Sequence, residues 1–259
     1  MKDKIIVITG ASAGIGAAIA QQAGARGARL ALAARRKKEL EDVAAKSGEG
    51  ALVVVTDVTA RADVDALARA AIERFGHVDV WINNAGRGIS RLVSELRDED
   101  IDDMMRDNVK SALYGMQAIL PHFKERGRGQ IINVSSMLGR IPYVPFRSAY
   151  SAAKHALNAL TGSLRLELRA THPAILATIV SPGPVATEFG SSALHGGPDS
   201  RAMPGAQTAD EVAAVVIDAI ENPRIDVYTT AEQPGAVRAY YDDMEAFEKA
   251  SPFAQPRKA

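Results

Sequence analysis

The stretch from Lys4 to about Arg26 constrains the fold more than any other. Lys4 to Thr9 is a nearly continuous β-branched run, the pattern of a strand buried on both faces. Gly10-Ala11-Ser12-Ala13-Gly14-Ile15-Gly16 follows, and an Ala-rich helix runs on to about Arg26. Glycines let a backbone approach a pyrophosphate, and the first turn of a helix offers free N–H groups and the positive end of its dipole. The spacing is GxxxGxG, not GxGxxG, and a tight turn without a ligand is the simpler alternative. Because a strand and a helix flank the glycines on the correct sides, Gly10, Ser12, Gly14, Ile15 and Gly16 are read as a nucleotide-binding turn.

The rest of the chain repeats the strand–helix alternation. Strands are predicted at about 29–33, 51–55, 78–82, 129–134, 175–180 and 226–229. Helices are predicted at about 61–75, 98–126, 150–170 and 209–220. Such alternation means βαβ units and a parallel sheet. The 259 residues fit a single α/β domain: a doubly wound parallel sheet of about seven strands with helices on both faces. Ligands in such sheets sit at the carboxyl ends of the strands. Asp57-Val58, Asn83-Asn84-Ala85-Gly86, Ser135-Ser136 and Pro182-Gly183-Pro184-Val185-Ala186-Thr187 all fall there, with the Gly10 turn. Asp57 either caps the next segment or binds an adenine edge.

The end of the second strand bears on the choice of nucleotide. An NAD site carries an acidic residue about 20 residues past the glycines. Here that region offers Ala34, Arg35 and Arg36. A guanidinium can pair with a 2′-phosphate in bidentate fashion. The reading is therefore NADP(H), with NAD(H) and a merely solvated basic helix start as alternatives.

Tyr150 and Lys154 lie four residues apart in the Ala- and Leu-rich helix, so they share one face. A nearby ammonium favours a phenolate and lowers the phenol's pKa towards a range useful for general acid–base work. Taken alone, the pair also fits an ordinary helix surface. The segment Met137 to Arg147 is a loop rich in apolar side chains, and Met137, Tyr143, Val144 and Phe146 are read as substrate contacts. Residues 188–207 hold four glycines and two prolines without a period, and read as a mobile loop over the site. His195 within it is a candidate substrate contact. The tail at about 233–259 suggests no function, and packing on a neighbouring subunit is one reading.

Several classes are disfavoured. Net charge is zero, which gives no footprint for nucleic acid or an anionic membrane. Cysteine is absent, which excludes thiol chemistry and Cys-bound metals and fits a cytoplasmic protein. Met1-Lys2-Asp3-Lys4 runs straight into a strand, so no signal peptide is expected. The five histidines show no metal-ligand spacing, and no G-x-S-x-G elbow occurs.

In order along the chain, Thr9-Gly10 with Gly14-Ile15-Gly16, Asn83-Asn84-Ala85-Gly86, Asn108, Ser136, Tyr150 with Lys154, and Pro182-Gly183 with Thr187 resemble the classical short-chain dehydrogenase/reductase family over about residues 4–230. The resemblance implies an oxidoreductase acting on a carbonyl–alcohol pair of a small molecule, with Asn108, Ser136, Tyr150 and Lys154 as the catalytic set. Tyr150 would move the proton, and Lys154 would bind the nicotinamide ribose and lower the phenol's pKa. Ser136 would hold the carbonyl, and Asn108 would hold a relay water. Thr187 and the backbone near Val185 would hold the carboxamide, Asp57 would contact adenine, and Asn83 would line the cofactor cleft. Ser136 is preferred to Ser135 because Gly139 follows it by three residues. The resemblance also suggests a homodimer or homotetramer built on the long helices. Rival readings are a catalytically silent NADP-binding redox sensor and an isomerase or dehydratase on the same fold.

Overall fold

A computed structural model describes residues 1–251. Its sheet has seven strands, all parallel, in the order β3-β2-β1-β4-β5-β6-β7. The strands are β1 (Ile5–Thr9), β2 (Arg29–Ala34), β3 (Leu52–Val55), β4 (Val80–Asn83), β5 (Gly129–Val134), β6 (Ile175–Ser181) and β7 (Asp226–Tyr228). The chain builds outward from β1 to β3, then crosses back to lay β4 on the other side of β1. That reversal leaves a crevice above the carboxyl ends of β1 and β4, where a doubly wound sheet binds its ligand.

The period-2 alternation of each strand feeds two cores. Ile6 and Ile8 of β1 point with Ile82 and Ile132 towards α1 (Gly14–Ala25), α2 (Lys37–Ala45) and α7 (Ala209–Glu221). Ile5 and Val7 point with Trp81 and Ile131 the other way. There they meet α3 (Arg61–Phe75), α5 (Ser111–Arg126) and the carboxyl half of α6 (Ser148–Thr171). Burial on both faces explains why these strands read as apolar runs.

The long helix and the tail carry structure that the sequence reading did not assign. The predicted helix over 98–126 is divided into α4 (Asp98–Met105), one wide π-turn (Arg106–Lys110) and α5. The extra residue turns Asn108 inward, where it is 1% exposed. The tail is ordered into α8 (Gln233–Asp242) and α9 (Met244–Ala250), while 252–259 lie outside the described residues. Tyr240 of α8 meets Phe247 edge-on, with centroids 5.5 Å apart, and packs against Met137 and Ile141.

Candidate active site

A cleft of about 1220 Å³ opens above the crevice. Its walls are the Gly10 turn, the β2 end, the Asp57 loop, Asn84 to Gly86, Ser136, Tyr143 to Tyr150, Lys154, and the segment from Pro182 into the 188–207 loop.

The nucleotide end is built from backbone. Gly10 and Gly14 hold φ of +67° and +56°, a region that favours glycine. A Cβ on Gly16 would stand 2.4 Å from the Gly10 carbonyl oxygen, so the turn and α1 touch with no room for a side chain. Helix α1 starts without a side-chain cap and has no acid in its first turn, which leaves its first N–H groups open to the cleft. Asn84 clamps the turn by donating from Nδ2 to the carbonyls of Thr9 (3.0 Å) and Gly10 (3.2 Å). The Thr9 hydroxyl in turn accepts from the backbone N–H groups of Asn84 and Ala85. Across the cleft, Thr187 Cγ2 would lie 3.3 Å from a Cβ on Gly14. This cradle, with its open N–H groups, fits a dinucleotide pyrophosphate.

At the β2 end, Arg35 and Arg36 are exposed and line the cleft. Arg36 donates from Nη2 to Ser12 Oγ at 3.2 Å, which ties the basic pair to the glycine turn. Asp57 accepts from the backbone N–H (2.9 Å) and hydroxyl (2.8 Å) of Thr59, a local turn that fixes the loop. Burial pushes that carboxyl up, but the Thr59 hydrogen bonds and the Arg35 charge outweigh it and hold the group below its ordinary value.

At the other end, Tyr150 and Lys154 lie one turn apart in α6, 6% and 3% exposed. The Ser136 side chain neighbours the Tyr150 phenol in the cleft and favours its charged form. Ser135 is turned away, with its Oγ buried against Gly139 and Asn158. Lys154 donates from Nζ to the Val134 carbonyl at 3.0 Å and stands 5.6 Å from the Tyr150 ring centroid. Asn108 donates to the carbonyls of Arg87 (2.9 Å) and Met104 (3.1 Å). Its Oδ1 would lie 2.7 Å, and Lys154 Nζ 3.6 Å, from a Cβ on Gly86. Asn108 and Lys154 thus close on the same backbone point.

Three expectations about individual residues need correction. Asn83 does not line the cleft: it accepts from Trp81 Nε1 and donates to Ala112 O and Asn133 Oδ1 under the sheet, and its neighbour Asn84 faces the cleft instead. Met137 is buried against Ile141 and Tyr240, away from the cleft. His195, at φ +62°, bonds from Nε2 to the buried Asp100 carboxylate at 2.6 Å and fastens its loop to α4. Tyr143, Val144 and Phe146 do line the cleft. So do two residues the sequence reading missed. Phe189 stacks near Tyr150 with centroids 5.4 Å apart, and Arg147 precedes Tyr150 by one turn. An i,i+3 scan from Tyr150 would have found Arg147.

Similarity to known proteins identifies the family and the fold. The family model described as short chain dehydrogenase matches residues 4–196. The chain is a short-chain dehydrogenase. The dehydrogenase is 35% identical over 225 residues to an uncharacterized oxidoreductase of Staphylococcus aureus, spanning 86% of this chain and 94% of that one. It is 37% identical over 187 residues to an uncharacterized oxidoreductase of Staphylococcus epidermidis, spanning 72% and 80%. Among solved structures, it resembles a short-chain dehydrogenase/reductase of Burkholderia phymatum in complex with NAD. The TM-score is 0.86 and the identity 26%, covering 100% of this chain and 99% of that one. A short-chain dehydrogenase of Burkholderia cenocepacia in complex with NADP gives a TM-score of 0.82 at 27% identity, covering 98% and 99%. Among the described residues of this dehydrogenase no helix is long and apolar enough to cross a membrane.

Burial dominates the electrostatics of the dehydrogenase's reactive end. It pushes the Tyr150 phenol up to about 12, and the Ser136 side chain and the Arg147 guanidinium work against it. Arg147 thus bears on the phenol as a second cation, one the sequence reading did not single out, beside Lys154 at 5.6 Å from the ring centroid. Burial also pushes the Lys154 ammonium down to about 8. A depressed lysine pKa means that the unfolded chain binds more protons than the folded one between about pH 8 and 10.5. Stability linked to this amine is then present above the unfolded pKa and is lost as pH falls through the folded one. Without added cofactor, Lys154→Met should be more stable than the parent at pH 7, by about 1–3 kcal/mol. The gap should narrow as pH rises from 8 to 10. Urea unfolding at several pH values checks this, and a gap independent of pH would contradict it.

Proposed function

We propose that this dehydrogenase interconverts a carbonyl and an alcohol with NADP(H), Tyr150 acting as general acid and base. The carrying observation is the buried Tyr150, which lines the cleft together with Ser136 at the end remote from the glycine turn, with Lys154 one turn along. When bound, NADP(H) supplies or accepts the hydride. The chain's own residues bind, orient and move the proton. Gly10, Ser12, Gly14, Ile15 and Gly16 would hold the pyrophosphate, with Val58, Asp57, Ala85 and Gly86 along the adenosine side. Arg35 and Arg36 would pair with the 2′-phosphate. Pro182, Gly183, Val185 and Thr187 would hold the carboxamide, and Lys154 the ribose hydroxyls.

In reduction, Tyr150 Oη donates its proton to the substrate oxygen while the Ser136 hydroxyl holds that oxygen in place. A phenol held protonated across neutral pH is suited to act as the acid. Asn108 is the proposed anchor of a relay water that returns a proton towards Lys154. Tyr143, Val144, Phe146 and Phe189 form an apolar wall that excludes water from the step. Leu160 and Leu166, 38% and 71% exposed on α6, support the reading of a homo-oligomer built on that helix.

The cofactor preference is tested by the double variant Arg35→Ala/Arg36→Ala. Charge-assisted hydrogen bonds to a phosphate would be lost, so kcat/KM for NADPH should fall about 30-fold or more while NADH changes by no more than a few-fold. Equal losses with both cofactors would remove the 2′-phosphate role.

A further inference from the structure

We propose that Arg147 is a carboxylate-binding residue of the substrate site, so that the dehydrogenase acts on an oxo acid, or the matching hydroxy acid, with an apolar body. The inference rests on the carbonyl–alcohol reading and names its substrate class.

Arg147 is 8% exposed, yet its guanidinium pairs with no acid among the described residues. Asp100 is engaged by Arg91 and His195, and Glu188 by Arg201. Among the described residues, the Arg147 side chain makes one hydrogen bond, from Nη1 to the Ile89 carbonyl at 3.1 Å. Its Nε and Nη2 donate to no described residue. A buried cation without a counter-ion is costly, and desolvation pulls this guanidinium below its ordinary pKa. An anion that enters with the substrate offsets that cost, and a guanidinium's planar fork matches a carboxylate in two parallel hydrogen bonds.

The location points to substrate and not to nucleotide. Arg147 lines the same cleft as Tyr150 and stands one helical turn before it. Its Nη1 and the Phe189 ring edge would lie 2.9 and 3.0 Å from one Cβ position on Gly88. Phe189 in turn contacts the Tyr150 ring. The Phe146 ring lies 5.6 Å from the guanidinium carbon. An acidic group at Arg147 would lie in the same cleft as Tyr150, with the Phe146 and Phe189 rings beside it.

The test compares an aryl oxo acid with its methyl ester, each with NADPH. The parent should favour the acid, and Arg147→Gln should cost the acid about 100-fold more kcat/KM than the ester, chiefly through KM. Arg147→Lys should restore part of the preference. In parallel, calorimetry on the NADP-saturated protein measures binding of 3-phenylpropionate against its amide. The carboxylate should bind the parent at least 10-fold tighter than it binds Arg147→Gln, with no such change for the amide. Equal acid and ester losses, or no Arg147-dependent difference between carboxylate and amide, would overturn the proposal. An alkaline-limb shift in the ester's pH profile with no change in the acid-to-ester ratio would also overturn it, because the guanidinium would then act on Tyr150 alone. Arg147-dependent carboxylate binding with no turnover of any carbonyl would leave the site standing and sink the carbonyl–alcohol reading.

Discussion

Tyr150→Phe is expected to lower kcat by about a thousandfold, within the range for loss of a positioned general acid, and to leave NADPH affinity within a few-fold of the parent. The phenyl ring still fits the pocket. It keeps its tilted contact with Phe189 and its place in the cluster with Ile89 and Ala153. The neighbouring Ser136 hydroxyl, half-buried, still accepts from the Leu138 N–H at 3.1 Å. The defect therefore falls on proton transfer and not on folding, and kcat and kcat/KM should drop together. Steady-state rates with a reducible carbonyl, beside NADPH titration of the same variant, separate the two effects. A variant that keeps most of its kcat would remove Tyr150 from the proton path.

Gly16→Ala is expected to abolish useful cofactor binding, raising the NADPH Kd at least 100-fold. The added Cβ would meet the Gly10 carbonyl oxygen at 2.4 Å and Asn84 Nδ2 at 2.5 Å. The first of these is backbone in a turn already held at positive φ, and the second is the clamp on that turn. Relief requires the turn to lift from α1, which displaces the N–H groups that face the pyrophosphate. Gly162→Ala is the control, because its Cβ would meet only the far end of Arg165, at 3.8 Å. Alanine is favoured over glycine inside a helix by roughly 1 kcal/mol, so this control should bind NADPH normally and melt slightly higher. Fluorescence titration of both variants reads the difference. Parent-like affinity in Gly16→Ala would contradict the cradle.

The fold and the frame of the site were legible because both depend on local pattern. The β-branched run of β1, the glycines after it and the strand–helix alternation each carry a short-range signal. Tyr150 and Lys154 were found together because helical spacing alone places them on one face. What was not legible depended on direction or on distant partners. Asn83 and Asn84 are adjacent in sequence, and only the pleat decides that the first faces Trp81 and the second the glycine turn. His195 and Asp100 lie 95 residues apart, so nothing local marks their bond. Apolar composition alone places Met137 with the substrate loop, but α8 supplies Tyr240, which buries it. The π-turn at Asn108 has no strong sequence mark, and the inward-turned Asn108 bonds Arg87, 21 residues away. In sequence Arg147 is the end of a loop, and only burial shows it to be a cation without an acidic partner among the described residues.

The most direct measurement follows cofactor absorbance when the purified dehydrogenase is mixed with NADPH and a panel of aldehydes, ketones and oxo acids. Product alcohol is quantified in the same samples. NADPH oxidation matched mole for mole by alcohol, and faster than with NADH, is the predicted result. Tight NADPH binding with no alcohol formed from any member of the panel would contradict the account and indicate a protein that binds the nucleotide without using it.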